Sequence, residues 1–194
     1  MAKKTLRDLL LEELRDLYHA DKQLMKAFPR LAKGAASEEV RKLCEEGVDY
    51  TEERIRRLED LFAALDAPAR GKTCYAMAGL IEEAMETLHG DFSDAVRDAA
   101  LLANIQRISH YGIAGYGTVC AYAKAIGEHD VAGLLAKSLG EKKEADEEMS
   151  VLAEREVNRR ALHGAEEDAE SEGRVDKAAA GDKPGTRRRQ KSKA

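Results

Sequence analysis

Apolar residues recur at intervals of three and four along most of the chain, which is the spacing of amphipathic helices. The first such stretch predicts a helix over residues 6–33, and Ser37 is expected to be the N-cap of a second helix that reaches about residue 65. Two further periodic stretches predict helices over residues 94–126 and 131–158. The chain is therefore expected to be all-α.

The lengths of the connections decide how these helices can be arranged. Short loops join the first helix to the second and the third to the fourth, so each pair is expected to pack antiparallel. The segment between the pairs is long enough to span a bundle and contains a short helical stretch over residues 75–88. This pattern predicts a ferritin-like four-helix bundle, residues 1–160, with one long crossover connection that carries a short helix.

Residues 161–194 differ from the rest of the chain because they contain almost no large apolar side chains. Such a segment cannot bury enough surface to fold alone, so we expect a charged, disordered tail. Its sequence RRRQKSK has five basic residues in seven, which favours weak contact with nucleic acid or another polyanion. A tail that only solubilises the protein is the alternative.

Composition narrows the class of protein further. Charged residues make up 36% of the chain and aromatic residues 5%, which favours long helices over a β-sandwich or barrel. The formal net charge of −5 gives the protein body no strong attraction to nucleic acid or membranes. The chain contains no membrane-spanning apolar run and no signal-peptide pattern, so we expect a cytoplasmic protein. Cys44, Cys74 and Cys120 lack metal-binding spacing and are expected to be buried thiols.

Charged residues interrupt the apolar stripes near the middle of several helices. Asp21 completes the stripe of the first helix, and Lys142 and Asp146 complete that of the fourth. On the second helix Asp49 and Glu52 are three residues apart and share one face, from which Glu52 could reach the interior. Because an ionised group is costly to bury unless it is paired or bound to a metal, something must compensate these charges.

Three explanations of this polar layer remain open at the level of the sequence. A metal ion could bind the carboxylates, or Lys142 could neutralise them in an internal salt-bridge network. Single positions could also face solvent. The third helix contributes small residues to this level, Ser109 and Gly112, and His110 lies beside its inner face, from where it could hydrogen-bond into the layer.

Five segments of the chain resemble a known family, namely DLYHADKQL, YTEERIRRLE, CYAMAGLIEEA, VRDAALLANIQRISHYGIAGYGT and LLAKSLGEKKEADEEMSVLA. Together they are similar to the ferritin-like YciE/YciF stress-protein family over about residues 5–158. The resemblance implies a four-helix ferritin-like protein that is induced under stress, is often dimeric and has a di-iron carboxylate site. We therefore expect a homodimer.

Most of the metal ligands that the resemblance implies are replaced in this chain. Where the family has five glutamates and a histidine, this chain has Asp21, Asp49, Glu52, Ser109, Gly112 and Lys142, while His110 and Asp146 are kept. A di-iron centre needs about four carboxylates and two imidazoles. We therefore expect a Lys-carboxylate cluster around Lys142 instead of metals, with Asp21, Asp49, Glu52 and Asp146 at remnant ligand positions.

The function expected from the sequence is that of a stress-associated ferritin-like protein with a degenerate di-iron site, without a cofactor and without enzymatic activity. Two alternatives remain. One is a working iron or manganese protein with ferroxidase activity. The other is a structural or interaction module that acts through the bundle surface and the basic tail.

Overall fold

The computed structural model describes residues 3–163, and every regular element in this part of the chain is helical. Five α-helices follow one another: α1 Leu6–Gly34, α2 Glu38–Ala64, α3 Tyr75–His89, α4 Asp94–Ala125 and α5 His129–Leu152. A π-helical turn, Ala153–Val157, continues α5, and residues 158–163 are again α-helical. The predicted all-α class is confirmed, and none of these helices is long and apolar enough to cross a membrane.

The predicted tail, residues 161–194, lies outside the described residues except for its first three, which continue the last helix. The predicted boundary at residue 160 therefore falls inside a helix.

Different side chains cap the first two helices. At α1, the Thr5 hydroxyl accepts a hydrogen bond from the Asp8 N–H at 3.2 Å, and the Asp8 carboxylate accepts one from the Thr5 N–H at 2.8 Å. At α2, Ser37 stands at the expected N-cap position, but its hydroxyl makes no capping bond. Instead the buried Asp98 carboxylate of α4 accepts hydrogen bonds from the N–H groups of Ala36 at 2.8 Å and Ser37 at 2.7 Å. A carboxylate at this place also gains from the helix dipole.

Two helix hairpins form the body of the protein. α1 packs against α2 and α4 packs against α5, as the short loops predicted, and α1 also contacts α4. The turn between α4 and α5 uses Gly127 with a φ of 82°, a conformation that favours glycine. α3 belongs to the segment between the hairpins and lies against α1 and α4. α2 and α5 contact each other only sparsely, so the packing of the two hairpins is most open on that side.

A polar cluster holds the start of α3 against α1 and α4. The Tyr111 hydroxyl donates a hydrogen bond to the Asp16 carboxylate and lies 3.0 Å from the Cys74 thiol. The Cys74 N–H donates to Nδ1 of His19 at 3.2 Å, and the Cys74 carbonyl accepts from the Gln23 side chain at 3.0 Å. Burial and the hydrogen bond to Asp16 raise the pKa of the Cys74 thiol, so this thiol is held in its protonated form.

Polar residues divide the apolar core into two clusters. The cluster toward the α1–α2 turn includes Leu24, Phe28, Leu31, Leu101, Ile105 and Met149. The cluster toward the α4–α5 turn includes Leu10, Leu14, Phe62, Tyr116, Val119 and Leu135. Buried polar or small residues lie between them on each of the four long helices: Asp21, Thr51, Arg54, Ser109, Gly112, Ser138 and Lys142. All three cysteines are buried and free of disulfides, which confirms the prediction of buried thiols.

Candidate functional site

Asp21 lies at the centre of a buried hydrogen-bonded network that joins three helices. Its carboxylate accepts a hydrogen bond from the Tyr116 hydroxyl of α4 at 2.7 Å and pairs with Arg54 Nη2 of α2 at 3.4 Å. The same Nη2 group donates to the Thr51 hydroxyl at 2.7 Å. All four side chains belong to buried residues, so this network compensates the carboxylate that interrupts the apolar stripe of α1.

The protonation states in this network follow from burial. Loss of solvent raises the pKa of Tyr116 well above its ordinary value, and the neighbouring Asp21 charge raises it further. Tyr116 therefore keeps its proton and donates a hydrogen bond to the Asp21 carboxylate. Arg54 stays charged because a guanidinium does not lose its proton in proteins. The result is one carboxylate neutralised by one guanidinium, with Tyr116 as a second donor.

Lys142 is a second buried cation beside this network. The residue is 7% exposed, its Nζ lies 5.8 Å from the centre of the Tyr116 ring, and no carboxylate among the described residues forms an ion pair with it. Burial lowers the pKa of Lys142 to about 7, Arg54 lowers it as well, and only the Asp21 charge acts in the opposite direction. The expected pairing of Lys142 with carboxylates is therefore wrong, because Arg54 already occupies the Asp21 carboxylate.

Gly112 provides the space in which the Lys142 side chain lies. A Cβ atom added at position 112 would lie 2.6 Å from both Cε and Nζ of Lys142, closer than real contacts allow. Any side chain on α4 at this position would therefore displace the lysine. The small residue at position 112 and the lysine at position 142 are thus two parts of one packing arrangement.

The two buried cations line a pocket between α2 and α5. It encloses about 90 Å³ and is walled largely by apolar side chains: Leu24, Phe28, Leu43, Ile105, Ile108 and Met149. Arg54, Lys142 and Ser109 are its buried polar members. Exposed Glu46 and Glu148 lie at its rim.

An ion-pair cluster around Arg57 borders the pocket and ties α2 to α5. Arg57 donates two hydrogen bonds to the Glu141 carboxylate, at 2.9 and 3.0 Å, and one to the Ser138 hydroxyl at 2.6 Å. A third carboxylate contact joins Arg57 to Glu53 at 2.9 Å. Because Arg57 satisfies Glu141 in this bidentate manner, Glu141 is not available to neutralise Lys142.

The two predicted ligand positions on α2 do not belong to the layer. Asp49 and Glu52 are exposed, and Glu52 lies only within 4.0 Å of Arg56 on the surface. The prediction that Glu52 reaches the interior is wrong, because α2 turns Thr51 and Arg54 inward instead.

The remaining predicted positions lie at different depths. Asp146 is half-buried and forms a pair with Nε2 of the exposed His110 at 3.0 Å, and its Oδ1 is buried without a hydrogen-bond partner among the described residues. Ser109 and Gly112 are buried on the inner face of α4, where the sequence placed them.

The residues of this layer do not suit a di-iron centre. No group of three or more His, Cys, Asp or Glu side chains that could hold a metal ion occurs among residues 3–163. The layer offers one carboxylate, Asp21, and this group is already bonded to Arg54 and Tyr116. Two cationic side chains would also repel a metal ion placed between them. The donor set is therefore that of a salt-bridge network.

Arg54, Arg57 and the bond of Tyr116 to Asp21 were not predicted from the sequence. A signal for Arg54 was present, because Thr51, Arg54, Leu58 and Leu61 follow the spacing of three and four that marks a buried face, and Arg57 lies three residues from Arg54 and four from Leu61. Tyr116 follows Ser109 and Gly112 at the same spacing on α4, but its partner on another helix cannot be deduced from that spacing.

Comparison with known proteins connects this fold to a family. The family model described as a domain of unknown function, DUF892, matches residues 5–162. Protein YciF of Escherichia coli strain K12 is 35% identical over 162 residues, which cover 83% of this chain and 98% of YciF.

Solved structures give the same result. The crystal structure of the E. coli stress protein YciF matches with a TM-score of 0.77 and 35% identity over 80% of this chain and 99% of that chain. YcfI from Rhodopseudomonas palustris matches with a TM-score of 0.74 and 37% identity over 76% of this chain and 94% of that chain. A protein from Xanthomonas campestris pv. campestris, at 17% identity and a TM-score of 0.68, shares the fold. The resemblance found in the sequence is thereby confirmed, and the chain belongs to the DUF892 family as a relative of the stress protein YciF.

Proposed function

We propose that this protein is a stress-associated member of its family with ferritin-like architecture but without ferritin chemistry. In this proposal α1, α2, α4 and α5 are the four helices of the bundle, and the segment with α3 is its long crossover. A buried cluster of cations and one carboxylate stands at the level where ferritin-like proteins hold two metals. We further propose a cytoplasmic homodimer.

The observation that carries this proposal is the charge of the buried layer. Arg54, at 5% exposure, forms the ion pair with Asp21, and Lys142 lies beside them without a carboxylate of its own. A di-iron site requires an excess of negative charge and imidazole nitrogen to balance the metal ions. In this layer Arg54 already pairs with the Asp21 carboxylate, so no excess of negative charge is left for metal ions to balance.

The proposed role in stress is supported by the relatives of this chain and not by the buried polar layer. YciF of E. coli is called a stress protein and is 35% identical to this chain over 162 residues. The competing function is iron or manganese handling, including ferroxidase activity. The two functions differ in metal content and in the rate of iron(II) oxidation, which makes them easy to separate.

Elemental analysis of the full chain, purified without chelator or affinity metal, tests the proposal together with iron(II) oxidation under air. We expect less than stoichiometric iron and manganese, and an oxidation rate equal to that of buffer, with a ferritin as the positive control. Two metals per chain with catalytic oxidation would refute the proposal.

Two variants show whether any metal found belongs to the buried layer. Asp21→Asn removes the layer's carboxylate, whereas Asp49→Asn changes an exposed carboxylate on α2. Metal that is lost in the first variant and kept in the second would be bound in the layer and would contradict the proposal. Metal that remains bound in both variants is held elsewhere on the protein.

A further inference from the structure

The buried layer contains a charged hydrogen-bond donor that no group in residues 3–163 satisfies. Nε of Arg54 is fully buried and has no hydrogen-bond partner among the described residues. The Lys142 side chain, in a residue 7% exposed, likewise has no ion pair in this part of the chain. Buried donors without acceptors cost free energy, and charged donors cost more than neutral ones. The buried guanidinium N–H without an acceptor, beside an amine without an ion pair, favours an acceptor that comes from outside the protein.

Both donors line the same pocket, and the rest of its wall is mainly apolar. The pocket opens between α2 and α5, where the bundle is least closely packed. Its volume of about 90 Å³ is smaller than the roughly 150 Å³ that suffices for benzene, but the pocket is open to solvent at one side. It therefore suits a short hydrocarbon chain better than a large ring system.

We propose that this pocket binds a small aliphatic monocarboxylate, with the hydrocarbon chain between the apolar walls and the carboxylate on Lys142 and Arg54. The inference goes beyond the proposed function, since it depends only on the pocket and its two donors. The ligand supplies the acceptor that the buried cations lack. Its apolar part replaces water against side chains such as Leu24, Ile108 and Met149.

The charges around the pocket favour a ligand with one negative charge. Asp21 of α1 neutralises Arg54 of α2, so one positive charge, that of Lys142 on α5, is left without a counter-ion. Tyr116 of α4 contributes a neutral hydroxyl. Three carboxylates also line the pocket: Glu141, which is paired with Arg57, and Glu46 and Glu148 at the rim. They repel a dianion more strongly than a monoanion, which makes phosphate a poorer ligand than a monocarboxylate.

The proton affinity of Lys142 agrees with this charge balance. Burial and the Arg54 charge lower the pKa of Lys142 to about 7 when no ligand is considered. A bound carboxylate would favour the charged form of the amine, as an opposite charge at short distance always does.

Calorimetric titration of the full chain with hexanoate tests the proposal. We expect saturable binding of one hexanoate per chain, with at least tenfold weaker binding of acetate, of 1-hexanol and of inorganic phosphate. Acetate lacks the apolar chain, 1-hexanol lacks the charge, and phosphate lacks the chain and carries too much charge. The absence of saturable hexanoate binding, or equal binding of 1-hexanol or phosphate, would overturn the proposal.

Variants connect the binding to the pocket. Lys142→Met is expected to weaken hexanoate binding at least tenfold, whereas the matched change Lys143→Met, at an exposed neighbour, should leave it unchanged. Equal affinities of the two variants would overturn the proposal. Ala145→Leu fills the pocket without altering a charge and should also abolish binding. If the Lys142 variant does not fold, unchanged binding by the Ala145 variant overturns the proposal by itself.

Discussion

Lys142 makes the stability of this protein depend on pH, and the direction of that dependence can be derived. Burial and the neighbouring Arg54 charge lower the pKa of Lys142 from 10.5 to about 7. Between these two values the unfolded chain binds more protons than the folded protein, so the free energy of unfolding rises with pH across this window. At pH values below the folded pKa the full cost of burying the ammonium group is present, and above the unfolded pKa the cost is absent.

The size of the effect follows from the shift. One pKa unit corresponds to about 1.4 kcal/mol, so the full cost of burying the charged amine is on the order of 5 kcal/mol. Linkage then gives the wild-type protein a gain of about 2 to 3 kcal/mol in free energy of unfolding between pH 6 and pH 9. Lys142→Met keeps an unbranched side chain and removes the amine. We expect this variant to be more stable than wild type at pH 6. We also expect its free energy of unfolding to lack the rise between pH 6 and pH 9 that Lys142 causes in wild type.

Urea unfolding followed by circular dichroism, in buffers without carboxylates, measures both quantities. Wild type, Lys142→Met and the control Lys143→Met are compared across the same pH range. Wild type and Lys142→Met share every other titrating group, so the difference between their two pH profiles isolates Lys142, and Lys143→Met shows what the loss of an exposed lysine does. Parallel profiles for wild type and Lys142→Met would refute the reasoning, because they would mean that the amine is hydrated in the folded protein.

Three further predictions, made with four substitutions, concern the buried network and the cap of α2. Arg54→Met leaves the Asp21 carboxylate with only the Tyr116 hydroxyl, and we expect a loss of about 3 to 5 kcal/mol in urea unfolding. Asp21→Asn in the same background should recover part of that loss, and a purely additive double variant would show that the two groups do not interact. Tyr116→Phe removes one bond to a charged group and should cost about 1.5 to 3 kcal/mol in the same assay, whereas a loss below about 0.5 kcal/mol would mean that water replaces it. Asp98→Ala removes both bonds to the α1–α2 turn and should cost about 2 to 3 kcal/mol, with faster hydrogen exchange at the start of α2; unchanged exchange there would contradict the capping role.

The helices themselves could be predicted from the sequence within a few residues. The 3.6-residue period is strong on α1, and turn residues such as Gly34 and Gly127 mark where helices stop. Helical periodicity and turn residues depend only on residues that are near one another in the sequence, so they can be recognised without knowledge of the fold. The burial of Asp21 and Lys142 could be inferred for the same reason, since each completes an apolar stripe.

The partners of those charges could not be predicted in the same way. Arg54 and Arg57 are buried on α2, although arginine is usually exposed, because acceptors from other helices meet their guanidinium groups. Such pairing is a property of how the helices pack. On α2, Glu52 was expected to reach the interior because of its helical spacing, whereas the structure leaves Glu52 exposed and turns Thr51 and Arg54 inward.

The contact between Gly112 and Lys142 restricts the order in which this protein can change during evolution. A carboxylate side chain at position 112 has no room while the lysine lies 2.6 Å from the place of its Cβ atom. A descendant could regain acidic residues in the layer only by first replacing or moving the lysine. A single substitution at position 112 would push the end of the flexible Lys142 side chain out of its place, so a change at one position is felt at the other. Packing thus couples the two positions, and the residue that evolution can accept at one depends on the residue at the other.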